Sequence, residues 1–88
     1  MTRDDAIRIS RLHQIFTEEQ LSDHQKDIAM MYAIGSTIEE IADEKGIKPI
    51  TVRNHLDVVR HTLGDVTLSG VRTVVFLRVL SVFLVNHV

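Results

Sequence analysis

Three glycines, Gly35, Gly46 and Gly64, each close a run of helical periodicity, and helix-start signals stand directly behind the first two. Ser22 with Gln25, and Thr37 with Glu40, have the spacing of a capping box, in which each pair satisfies two backbone amides at a helix start. Pro49 marks a third start, because proline suits a first turn whose amides have no intrahelical acceptor. This punctuation predicts a helix over about residues 23–34, a short two-turn helix ending at Gly46, and a helix from Pro49 to Thr62.

The apolar positions agree. Ile28, Ala29, Met31 and Tyr32 serve the first of these helices, and Ile38, Ile41 and Ala42 the second. In the third, Ile50, Val52, Leu56, Val59 and Leu63 are expected to point inward, with Arg53, Asn54, Asp57, Arg60 and His61 on the other side. Ahead of them, Ala6, Ile9, Leu12, Ile15 and Phe16 predict an amphipathic helix from Thr2 to Phe16, with Asp4 and Asp5 favourable in its first turn. The last segment, VRTVVFLRVLSVFLVNHV, holds seven valines. It still predicts a helix, since a lone strand has no sheet to join in a helical chain. Its apolar residues run nearly all round, so two sides need cover: the chain's own domain and a partner. Arg78 interrupts a run already too short for a membrane span. The expected fold class is all-α: a small helical bundle with a helix-turn-helix, an N-terminal amphipathic helix before it and an apolar C-terminal helix after it. Residues 1–20 form a helical arm and residues 21–88 the domain.

Eighty-eight residues suffice for one small domain and give too little chain to wall off a catalytic pocket. No nucleophile motif or Gly-rich phosphate loop is present, so no enzyme is expected. Cysteine is absent and the five histidines are scattered without ligand spacing, which predicts no metal and no cofactor. The N-terminus lacks the pattern of a secretory signal, which with the missing cysteines suggests a cytoplasmic protein. The net charge of −2 conceals an asymmetry: residues 1–44 hold four Lys/Arg against ten Asp/Glu, residues 45–88 six against two. Nucleic-acid affinity depends on a local basic footprint, and such a footprint begins at Lys45.

Leu21-Ser22, Ile28 and Gly35, Glu40-Ile41-Ala42, Gly46-Ile47, Thr51-Val52-Arg53-Asn54-His55-Leu56, Val59 and Leu63-Gly64 follow one another without a gap. Through these residues the chain from about Leu21 onward resembles the LuxR/GerE-type helix-turn-helix family. The same residues also resemble region four of bacterial sigma factors. Continuation past Leu63-Gly64 into a further apolar helix favours LuxR/GerE.

The resemblance implies a sequence-specific DNA-binding transcriptional regulator that acts as a homodimer on a two-fold-related site, with the helix from Pro49 to Thr62 in the major groove. By position, Arg53, Asn54 and Asp57 would face base edges; Arg and Asn can read guanine and adenine in two-point geometry. Lys48, Thr51, Arg60 and His24 would meet the backbone, and Val71, Val75, Leu77, Leu80, Phe83 and Leu84 would form the dimer surface. Where family members commonly carry Arg, Asn, Lys, Lys and Lys, this chain has His24, Ile38, Glu39, Asp57 and Thr62, which reduces the positive charge available to phosphates. A second reading keeps the fold as a protein-interaction module that binds or antagonises another regulator. RNA polymerase is a further candidate partner. The residues before Leu21 are too few for a receiver or autoinducer-binding domain, so regulation is expected through abundance or a partner.

Overall fold

Side chains that satisfy orphan amides decide where the helices begin. The computed structural model describes residues 12–87, and side chains as far as Leu84 except Phe83. It contains a short 3-10 helix, Leu12–Phe16, and four α-helices: α1 (Asp23–Ala33), α2 (Ile38–Lys45), α3 (Pro49–Thr62) and α4 (Leu68–His87). Both capping boxes close. Ser22 Oγ accepts from the Gln25 amide and Gln25 Oε1 from the Ser22 amide, each at 3.1 Å. Thr37 and Glu40 repeat the arrangement at 3.1 and 3.0 Å. Thr67, which the sequence reading did not single out, caps α4 by accepting from the Gly70 amide at 3.0 Å.

The turn between α2 and α3 depends on one left-handed residue. Gly46 has φ 67°, its amide donates to Asp43 O at 3.3 Å, and the Ile47 amide reaches Ala42 O at 3.0 Å. This pair of bonds is a Schellman closure, which satisfies two carbonyls and turns the chain sharply. Lys48 then caps α3 through its backbone alone, with Pro49 in the first turn.

The helices enclose a core in which Ile28, Met30, Ile41, Val52, Leu56, Val59, Val71 and Val75 are buried. α1 packs on α3 and α4, α2 on α3, and α4 crosses both α1 and α3. Burial of one such side chain stabilises by about 1.5–3 kcal/mol, so this shared stripe holds the bundle. Ile50 departs from the expected inward set: it is 62% exposed. It lies two positions from Val52, about 200° around the helix, and so faces away from the core.

The valine-rich segment is helical throughout its described length, as part of α4. Two of its predicted dimer residues require correction. Val71 and Val75 are buried against their own domain, where they fill the core beside α1 and α3, and cannot also present a surface. Leu77, Leu80 and Leu84 are exposed on the other side, as is Phe76, which sequence reasoning overlooked. The Phe83 side chain lies outside the described residues.

Both arginines of α4 turn toward the domain. Arg72 Nε donates to Tyr32 O at 2.9 Å, and its guanidinium sits 3.8 Å over the Tyr32 ring. Arg78 donates to Ile15 O at 3.0 Å and forms an ion pair with Glu19, whose side chain is largely covered. The predicted N-terminal helix is described only over Leu12–Phe16, where it is a 3-10 turn with Ile15 and Phe16 in the core; Thr2–Arg11 lies outside the described residues. No described helix is long and apolar enough to cross a membrane.

Candidate nucleic-acid interface

With Val52, Leu56 and Val59 fixed in the core, the residues half a turn away on α3 must face outward. Ile50, Asn54, Asp57 and His61 follow one another at intervals of four, three and four residues and form the ridge opposite the core, on which Ile50, Asn54 and His61 are exposed and Asp57 is half-buried. Arg53 is exposed along one flank of it, with Arg60 half-buried behind, and Thr51 and His55 are half-buried on the other flank. Lys48 is exposed where α3 begins. The helix therefore presents an amide and a guanidinium side by side near its N-terminal end.

Asp57 is the electrostatic centre of this face. Its Oδ1 accepts from Arg60 Nε at 3.1 Å and lies 3.5 Å from Arg53 Nε. The hydrogen bond from Arg60, and after it the charge of Arg53, hold the Asp57 carboxyl below its ordinary range despite some desolvation. The carboxylate thus orients both arginines and offsets part of their charge. At the far end, His61 Nδ1 lies 2.5 Å from Asp65 Oδ1.

The basic half of the chain offers fewer cations than its composition suggests. Lys45 Nζ is 2.7 Å from Asp27 Oδ2, and His13 Nε2 is 2.6 Å from Asp27 Oδ1. Burial would raise the Asp27 carboxyl, but the hydrogen bonds from Lys45 and His13 outweigh it and hold the group below its ordinary range. Asp27 therefore joins the 3-10 turn, α1 and α2, and the footprint does not begin at Lys45. With Arg72 and Arg78 also used within the fold, Lys48, Arg53 and Arg60 are the Lys/Arg of that half left on the helix-turn-helix face.

His24, in the first turn of α1, meets His55 of α3 edge to face at 5.1 Å between ring centroids. Burial, the Lys45 charge and His55 together lower its pKa below the ordinary 6.5, with Asp27 opposing. At neutral pH it is a packed, neutral ring.

Against known protein families, residues 19–64 match the model for bacterial regulatory proteins of the luxR family, just over half of the chain. The chain belongs to the LuxR family. No curated protein and no solved structure matches it. The matched part of this LuxR-family chain holds α1, α2 and α3, the DNA-binding helix-turn-helix of transcriptional regulators, and it agrees with the first of the two resemblances. The exposed side of α4 lies beyond the match.

Of the sequence-predicted residues, Lys48, Thr51, Arg53, Asn54, Asp57 and Arg60 stand together on α3 and at its N-cap, with His24 beside His55 next to them. Ile50 was missed as a surface residue because an isoleucine among apolar neighbours suggests core. The double pairing of Asp57 had a signal in the sequence, since Arg53 and Arg60 lie four before and three after it.

Proposed function

We propose that this LuxR-family protein is a sequence-specific transcriptional regulator of the cytoplasm that binds a two-fold-related duplex site as a homodimer. α3 enters the major groove, where Arg53 reads guanine and Asn54 adenine. Lys48, Thr51 and Arg60 contact the backbone, joined by His24 when it is protonated. Asp57 sits between the base-reading and backbone arginines, setting their directions and accepting from a cytosine amino group where one is in reach. The observation that supports this best is the outward presentation of Arg53 and Asn54 on a helix whose opposite face is held rigidly by Val52, Leu56 and Val59.

The homodimer rests on α4. Thr73, Leu77, Leu80 and Leu84 are exposed at spacings of four, three and four, a heptad-like seam, with Phe76 beside it. A second copy of the same helix covers such a seam and sets two α3 helices about one DNA turn apart. A titration against a pool of random duplexes at low salt tests the reading: retardation that weakens steeply with salt supports it. Binding no stronger than that of an unrelated acidic protein removes it.

A protein-interaction role is the second reading. Glu39 and Asp43 are exposed on α2, where a DNA-binding face gains nothing from carboxylates. Another regulator with a basic surface, or RNA polymerase, is the matching partner.

A further inference from the structure

Ile50 is 62% exposed in the first turn of α3 and stands outside the set of apolar residues packed against the core. It shares the ridge opposite the core with the exposed Asn54 and the half-buried Asp57, one helical turn ahead of Asn54 and three residues ahead of Arg53. Its side chain can bond to neither phosphate nor a base amide. The major groove offers one apolar feature for such a group, the C5-methyl of thymine. In helix-turn-helix docking the N-terminal residues of the recognition helix are the ones that touch base edges, and Ile50 is the second residue of α3.

We infer that Ile50 is a specificity residue that packs on a thymine methyl, next to the base read by Asn54. The inference rests on the DNA-binding reading above and adds to it a third readout, apolar where Arg53 and Asn54 use hydrogen bonds. Ile50 gives the site a preference for thymine over cytosine at a place where neither polar side chain imposes one. It contributes little to binding of random sequence, because apolar contact does not neutralise phosphate.

The test selects a preferred duplex with the wild-type protein, then replaces each thymine in turn by deoxyuridine, which removes only the methyl group. Wild type, Ile50→Val and Ile50→Ala are titrated against each duplex, with helicity by circular dichroism to establish that the exposed substitutions leave the fold intact. At one thymine in each half-site, loss of the methyl is expected to weaken wild type about fourfold, as burial of one methyl-sized group supports. Ile50→Val retains most of that effect and Ile50→Ala loses it. If no thymine responds, or if Ile50→Ala responds as strongly as wild type, the role of Ile50 is overturned while DNA reading by Arg53 and Asn54 stands. If no sequence is enriched at all, both are overturned.

Discussion

Asp57 accepts a hydrogen bond from Arg60 Nε at 3.1 Å, one turn along the helix that would enter DNA. The same carboxylate oxygen lies 3.5 Å from Arg53 Nε, so a single anion restrains two of the three Lys/Arg that residues 45–88 leave at this face. Asp57→Asn is expected to tighten binding to random duplex DNA and to steepen the dependence of log Kd on log salt by about one phosphate equivalent. Titrations at several salt concentrations read both quantities. An unchanged slope would show that the carboxylate does not limit contact with phosphate.

The two sides of α4 are expected to respond differently. Leu77→Asp with Leu80→Asp places charge on the exposed seam and should yield a folded monomer, read by sedimentation with circular dichroism. Val75→Ala, in the core, should instead lower stability by about 1.5–3 kcal/mol without changing the assembly of the folded fraction. A Leu77, Leu80 double variant that still sediments as a dimer contradicts the seam.

Much of the fold was legible because its signals are local. Ser22 with Gln25, Thr37 with Glu40, Gly46 and Pro49 act within one or two turns, and they set the limits of α1, α2 and α3 closely. What was not legible depends on distant contacts. Valines and leucines alternate around α4, and nothing local says which side its own core takes. The contacts that orient it, Arg72 to Tyr32 and Arg78 to Ile15, span 40 and 63 residues. In the same way Lys45 counted as a free cation until the fold brought Asp27 beside it.

Gly46 has φ 67° with nothing within 4 Å of where a Cβ would stand, so a side chain there meets strain in the backbone alone. Gly46→Ala should cost about 1–2 kcal/mol, and Gly46→Asn less, since asparagine visits this region more readily. Urea unfolding measures both. Equal stability of all three proteins would remove the left-handed turn from the account.

His24 supplies a pH dependence with a defined sign. Its folded-state pKa lies below 6.5, so near and below that pH the unfolded chain binds more protons than the folded one. Stability is therefore fully present above the unfolded pKa and is lost as pH falls through the folded value. Lowering the pH from about 7.5 to about 5.5 should reduce Tm in wild type and reduce it less in His24→Gln. Asp27, a carboxyl with a lowered pKa, acts in a separate and more acidic window, below its ordinary 3.8. A Tm that rises on acidification to about pH 5.5 would reverse the assignment of His24 as a ring held neutral.

In the proposed complex α3 reads DNA sequence through Arg53. The most direct measurement is the ratio of affinities for a selected duplex and a scrambled duplex of the same composition, at one salt concentration, for wild type and Arg53→Ala. Wild type is expected to prefer the selected duplex about a hundredfold or more. Arg53→Ala is expected to lose about tenfold of that preference, the size of one two-point contact with guanine, with binding to the scrambled duplex much less affected. Equal affinity of wild type for both duplexes, or an equal loss on both in Arg53→Ala, would contradict the account.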